Sequence, residues 1–245
     1  MSASTFLVLA GIAAGLIGSG AGVASFVSYP ALLAAGLSPL SANVSNTVAM
    51  TISSVSSIAA SRPELIGQGR RLLPFVLVAL LGGVAGMALL LSFPAETFEV
   101  VVPWLIGLAS VALLARPWLR QLHSDRMGER HPLVVAGVGL ACVYSGYFGA
   151  AAGVLIMSVI GSVIADEWAR VNAFKNVLLG VSNLTATLGF LVLGPVQWSA
   201  ALPLALGCLI GAALGPAVVR RLPETPLRVA IGLAGLALAV RLALG

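Results

Sequence analysis

Long apolar segments recur along the chain, and they restrict what it can fold into more than any other feature. Apolar stretches lie at 72–91, 98–115, 133–148 and 198–219, separated by short polar connections. Segments of about 20 apolar residues match the thickness of a bilayer core. Only 9% of the 245 residues are charged, against about a quarter in an ordinary soluble domain. The sequence therefore predicts an all-α, polytopic membrane protein without a soluble domain of its own.

Basic residues are confined to a few of the connections between the apolar segments. Twelve of the thirteen Lys and Arg residues lie in or beside four connections, at 61–71, 116–132, 166–170 and 220–225. Because loops rich in Lys and Arg stay in the cytoplasm, we predict that these connections are cytoplasmic and that both termini lie outside. The net charge of +5 then reflects contact with a lipid bilayer, and no nucleic-acid partner is predicted.

Two glycine-rich stretches interrupt apolar runs at corresponding places in the chain. The stretches "GLIGSGAGV" at 15–23 and "GYFGAAAGV" at 146–154 align without gaps at an offset of 131. Later short matches keep the same order, such as "IGLA" from Ile106 and again from Ile231. The sequence therefore predicts an internal repeat.

The predicted topology makes this repeat an inverted one. The segment that begins at 41 runs towards the cytoplasm, whereas its counterpart that begins at 171 runs away from it. We therefore predict two inverted-topology repeats of about five helical segments each, at 1–115 and 133–245, joined by a cytoplasmic linker at 116–132. Inverted repeats are typical of transporters that alternate access around a central site.

The first pair of segments in each repeat is short. Residues 4–17 and 23–36 would each span about 21 Å as helix, against a bilayer core of about 30 Å. The same holds for 133–148 and 154–165. Each pair is either a re-entrant hairpin or two steep crossings, and loop charges do not distinguish these. Short, glycine-interrupted segments at corresponding places in two halves indicate a binding site.

The glycines in these stretches have a second interpretation, because glycines spaced by four residues also serve close helix packing. For Gly207, Gly211 and Gly215, which repeat that spacing inside a continuous segment, we predict packing. A dinucleotide-binding fingerprint is excluded, because "GSGAGV" lacks the final glycine and a preceding soluble strand.

Polar residues inside the membrane segments indicate the class of cargo. No Asp or Glu lies deep in any segment, whereas amides, hydroxyls and Lys175 are present. Such donors, with glycine N–H groups and positive helix ends, favour an anion. Snorkelling of Lys175 to the cytoplasmic surface is the alternative to an anion contact. The predicted binding residues come from both glycine stretches and from the segments that follow them: Gly18, Ser19, Gly20, Gly22, Ser45, Asn46, Gly149, Gly153, Asn172, Lys175, Asn176 and Asn183.

Several of these stretches resemble the sulfite exporter TauE/SafE family of bacterial membrane permeases. The resemblance covers nearly the whole chain and is carried by the two glycine stretches, by "SANVSNTVAM", and by "VNAFKNVLLGVSNLTATLGFLVLGPVQW" in the second half. It implies an inner-membrane permease that moves sulfite, thiosulfate, sulfonates or related small organic anions. One departure is "GAAAG" at 149–153, where a glycine-richer hairpin is expected.

We therefore predict a secondary transporter that exports a small anion by alternating access around a midplane site. A passive anion channel and a membrane scaffold without transport remain the alternatives, and assembly with further copies of the chain stays open. No enzyme activity, cofactor or metal site is predicted, because the sequence shows no nucleophile–base pair and no cluster of metal ligands.

Overall fold

The structure is a computed structural model that describes residues 2–119, 128–129, 131–162, 166–219 and 224–244. These residues form helices and no strands. The helices run over Ala3–Ala21 (α1), Ser25–Ala34 (α2), Pro39–Ala60 (α3), Arg62–Leu65 (α4), Gly69–Leu91 (α5), Ala95–Leu119 (α6), Pro132–Tyr147 (α7), Ala152–Gly161 (α8), Trp168–Leu193 (α9), Trp198–Val219 (α10) and Glu224–Leu244 (α11). The predicted all-α class is confirmed for this part of the chain.

Three of the described helices are long and apolar enough to cross a membrane. They cover Gly69–Leu91, Ala95–Ala115 and Ala169–Leu193, and less than half of each is buried inside the protein. Large apolar side chains on these helices are exposed, among them Trp104 and Val192. In water such a surface would drive association, whereas lipid tails solvate it. The helices are therefore those of an integral membrane protein.

The α1–α2 pair forms a hairpin that bends at Gly22. Helix α1 has 19 residues and extends past the predicted end at residue 17, because Gly18 and Gly20 do not break it. It ends where Gly22 adopts φ 72° and its N–H donates to the Gly18 carbonyl oxygen at 3.0 Å. Helix α2 has only ten residues, about 15 Å at 1.5 Å per residue. One arm of the hairpin is thus longer than predicted and the other shorter.

The α7–α8 pair forms a second hairpin, which bends at residues 148–151. Gly149 adopts φ 78° and Ala151 adopts φ 55°, so two residues within three are left-handed. This conformation suits glycine and costs alanine about 1–2 kcal/mol. Ala151 lies in the "GAAAG" stretch, and the bend forms there despite the missing glycine.

A helix of each hairpin packs on a helix from the other half of the chain. Helix α1 packs on α10, and α7 packs on α5. A Cβ added to Gly207 would lie 2.1 Å from the Val8 carbonyl oxygen, and one added to Gly211 would lie 2.1 Å from that of Ile12. Only glycine allows such close approach of two backbones. The prediction that Gly207 and Gly211 serve packing is confirmed, whereas the surroundings of Gly215 are not described.

Helices α3 and α9 pack against each other. The Asn176 amide donates to Ser61 Oγ at 3.0 Å, and the hydroxyls of Thr51 and Thr187 are 2.8 Å apart. Residue numbers therefore rise along one helix as they fall along the other, so that α3 and α9 run antiparallel. The same two helices pack on α10 and α5 respectively.

An ionic cluster joins three segments of the predicted cytoplasmic face; we call it the Arg71 cluster. Arg71, near the start of α5, donates to both carboxylate oxygens of Glu129 and to Asp166 Oδ2 at 2.6 Å. Arg170 donates to the other Asp166 oxygen. The Arg71 guanidinium also lies 5.3 Å from the ring centre of Phe174, a cation–π contact. The cluster therefore holds the residues before α9 against the start of α5.

Asp166 is the carboxylate that the two arginines of this cluster share. Burial raises the pKa of this group, but the hydrogen bonds from Arg71 and Arg170 outweigh burial and hold the pKa below its ordinary value. The ionised form is thus the one that the cluster stabilises.

Candidate functional site

A cavity of about 70 Å³ lies where the two hairpin tips meet helices α3 and α9. The α1–α2 hairpin contributes Gly15, Gly18, Gly22, Ala24 and Ser25 to its wall. A site that holds one water molecule needs about 10–15 Å³ on this measure. The cavity therefore has room for a few waters or for one small ion.

The hairpin tips contact each other directly at this cavity. A Cβ added to Gly153 would lie 2.9 Å from both the Cα and the carbonyl oxygen of Gly22. One added to Gly22 would lie 3.1 Å from Gly153 Cα. The two backbones are thus too close for a side chain at either position. Gly149, from the bend of the second hairpin, also lines the cavity.

Two helices begin at the tips. Helix α2 starts at Ser25 and α8 at Ala152, and neither N-terminus has a capping side chain. The N-terminal turn of a helix carries about half a positive charge. Because Ser25 and Gly153 line the cavity, the positive ends of both helices lie next to it.

Helix α9 supplies the cation and the amides of the wall. Lys175, Asn176 and Asn183 line the cavity, together with the apolar Leu179. Lys175 is only 1% exposed, and its Cδ lies 3.4 Å from the position that a Gly22 Cβ would take. Lys175 is therefore held inside the protein against the first hairpin tip, not extended to the membrane surface as the snorkelling alternative requires.

The two amides also connect α9 to its neighbours. Asn176 donates to Ser61, the residue that follows α3, and Asn183 Oδ1 accepts from Ser145 Oγ of α7 at 3.2 Å. Each amide thus has one end fixed by the fold, which orients the side chain within the wall.

Helix α3 supplies hydroxyl groups. Ser53, Ser54 and Ser57 line the cavity with Met50. These four residues were not among those predicted from the sequence. Their spacing, at i, i+3, i+4 and i+7 from Met50, places them on one face of a helix, and the three serines on this face are the signal that could have identified it.

The structure brings together most of the predicted binding residues, but not all. Gly18, Gly22, Gly149, Gly153, Lys175, Asn176 and Asn183 line the cavity, whereas Ser45, Asn46 and Asn172 do not. The surroundings of Ser19 and Gly20, in the last turns of α1, are not described.

Ser45 and Asn46 have structural partners elsewhere. Ser45 Oγ accepts from the Gln197 backbone N–H at 2.9 Å and so fixes the connection before α10. Asn46 accepts from Ser28 Oγ at 2.6 Å and donates to Ser25 Oγ at 3.2 Å. Asn46 therefore stands behind Ser25 and supports a cavity residue.

The cavity is chemically suited to a negative charge. Among the described residues of its wall are a lysine, two amides and four serines, and none is acidic. Two helix N-termini add positive potential. A cation would meet repulsion here, whereas an oxyanion would find charged and neutral donors on several sides.

Relatives of this chain are described as probable membrane transporters. The chain is 28% identical over 209 residues to the "Probable membrane transporter protein YfcA" of Escherichia coli (strain K12), covering 84% of this chain and 77% of the relative. It is 25% identical over 237 residues to the "Probable membrane transporter protein ORF9" of Sinorhizobium sp, covering 97% and 91%. The model of one family, sulfite exporter TauE/SafE, matches residues 7–242. Because that match spans nearly the whole chain, the protein belongs to the sulfite exporter TauE/SafE family.

Proposed function

We propose that this protein is a secondary transporter that exports a small anion, such as sulfite, thiosulfate, a sulfonate or a related organic acid. The single observation that carries the proposal is the cavity at the hairpin tips, where Lys175, the amides of α9 and two helix N-termini converge. The family description, sulfite exporter, and the relatives described as membrane transporters support transport and export.

Alternating access follows from an inverted repeat, and the packing supports such a repeat. In the predicted repeat, the counterparts of α1, α3 and α10 are α7, α9 and α5. When each helix is replaced by its counterpart, the contact of α1 with α10 becomes that of α7 with α5. The contact of α3 with α10 likewise becomes that of α9 with α5. The counterparts α3 and α9 run antiparallel, as inverted halves require.

The contact between Gly22 and Gly153 supports the same symmetry. These glycines are counterparts at the offset of 131, and they touch each other. A residue that contacts its own counterpart lies on the two-fold axis that relates them. The proposed binding site then lies on the axis, where rocking of one half against the other exposes it to each side in turn. We place the protein in the cytoplasmic membrane, with both termini outside, from the distribution of its basic residues.

Counterflow in proteoliposomes tests the proposal. Vesicles containing the purified protein are loaded with unlabelled sulfite, thiosulfate, methanesulfonate or acetate, and uptake of labelled sulfite or thiosulfate is measured. We expect at least one internal anion to accelerate uptake above that of empty and protein-free vesicles. Flux that internal anion does not accelerate would indicate a channel instead. Absence of flux and of competition for all four anions would contradict anion transport.

A further inference from the structure

The wall of the cavity contains two large apolar side chains, Leu179 and Met50, among residues that are otherwise polar or small. Neither is needed to hold an anionic group. What they do depends on where they lie relative to Lys175 and the amides.

Leu179 lies between two polar levels of α9. It follows Lys175 by four residues and precedes Asn183 by four, which is about 6 Å along the helix axis in each direction. Its Cδ1 lies 3.2 Å from the position that a Cβ on Gly153 would take, so it rests against the tip of the second hairpin. An anionic head beside Lys175 and Asn176 therefore has Leu179 as its next neighbour along the cavity.

Met50 lies farther along the same direction. Since α3 and α9 are antiparallel, and Thr51 contacts Thr187, Met50 lies about one turn beyond Asn183. The order along the cavity is thus the lysine level, Leu179, the Asn183 level and Met50.

The volume of the cavity suits a compact head group. A cavity of about 70 Å³ has room for a few water molecules, and so for a compact anion such as sulfite or methanesulfonate. An organic anion whose chain extends along α9 from the lysine level meets Leu179 first and Met50 next.

We propose that Leu179 and Met50 are specificity-determining residues that limit the length of the organic part of the transported anion. This inference rests on the proposed function. Leu179→Ala removes three carbon atoms from the middle of the cavity, and Met50→Ala removes three heavy atoms from its far end. Each variant creates space for about three methylene groups in line with an anionic head.

A series of alkanesulfonates, from methanesulfonate to butanesulfonate, tests this limit on the length of the organic part. Each is added as a competitor, and the binding or uptake of a labelled anion is measured. We expect the wild-type protein to bind methanesulfonate at least tenfold more tightly than butanesulfonate. In Leu179→Ala that ratio should fall by at least tenfold, because each added methylene that becomes buried favours binding by about fourfold. Met50→Ala should also strengthen the binding of butanesulfonate relative to methanesulfonate, and should strengthen that of ethanesulfonate less.

Leu188→Ala is the matched control, because Leu188 lies on the same helix but is 58% exposed and is not part of the cavity wall. The inference is overturned if wild type does not discriminate by length, if either folded variant keeps the wild-type ratio, or if Leu188→Ala changes it equally. If wild type binds no anion of the series and no sulfite, the proposed function itself fails, which is a distinct result.

Discussion

Lys175 is the residue whose position most affects the electrostatics of the site. It is almost fully buried at a wall that, in the part of the chain described, carries no carboxylate. A buried charge in a membrane protein is costly, so the burial of Lys175 is itself an indication of function. An arriving anion would lower that cost.

Lys175→Ala should therefore weaken anion binding. Loss of a charged hydrogen-bond partner costs about 1.5–3 kcal/mol, so the dissociation constant for the best substrate should rise by about tenfold to a hundredfold or more. Isothermal titration of the purified protein measures this change. Lys175→Arg should restore binding only in part, because a planar guanidinium does not replace a compact ammonium. Wild-type affinity in folded Lys175→Ala would show that the anion does not contact this residue.

Gly22→Ala should destabilise the protein through both strain and contact. The new Cβ would occupy a left-handed residue and lie 3.1 Å from Gly153 Cα. Strain of about 1–2 kcal/mol then adds to overpacking of about 1–3 kcal/mol. Gly36→Ala is the control, because Gly36 is also left-handed, with φ 91°, but has nothing within 4 Å of its added Cβ. Thermal unfolding in detergent compares the two, and equal losses would contradict the tip contact.

Single cavity residues could be predicted from the sequence only where a glycine interrupts an apolar segment or where a charged residue lies within one. Gly22, Gly153 and Lys175 could be identified because glycine interruptions and a lysine stand out in apolar segments. Ser45 could not be excluded, because its partner, Gln197, is 152 positions away. Short-range pattern contains no information about such a tertiary hydrogen bond.

At the scale of helices, it was easier to predict that a helix exists than where it ends. The predicted segments that begin at 41, 72, 98, 171 and 198 correspond to α3, α5, α6, α9 and α10. The end of α1 was misplaced, because two glycines inside a helix look locally the same as two glycines that end it. Only the left-handed φ of Gly22 decides between them.

Asp166→Asn should loosen the segments that the Arg71 cluster joins. Two hydrogen bonds from arginines lose their charged acceptor, and because Arg71 and Arg170 are partly exposed, the free energy of unfolding should fall by only about 1 kcal/mol at neutral pH. Since the pKa of Asp166 is lowered in the folded state, its contribution is complete above the unfolded value of about 3.9 and is lost as pH falls through the folded value. The difference between wild type and variant should be constant from about pH 5 to 8 and shrink below about pH 4.

Denaturant unfolding across this pH range measures the effect. Glu167→Gln is the matched control, because Glu167 is the adjacent carboxylate and is exposed. A difference between wild type and Asp166→Asn that grows towards low pH would contradict a lowered pKa of Asp166 in the folded protein.

For the molecule as a whole, the orientation of the halves in the membrane is the most direct test. Gln68→Cys and Gln197→Cys should react with an impermeant maleimide from opposite sides of the membrane, Gln68→Cys from the cytoplasm. The native Cys142 and Cys208 are buried and should add little background. Labelling of both positions from one side only would contradict the inverted repeat.

The packing of α1 on α10 also has a consequence for how the protein is made. Gly11 contacts Gly207, yet about 200 residues separate them. A ribosome that adds about 5–20 residues per second needs about 10–40 s to make the partner of the first helix. During that time α1 must stay in the membrane or its insertion machinery with its glycine face uncovered. Biogenesis, and not only transport, therefore depends on how long the first hairpin stays inserted and unaggregated before α10 has been made.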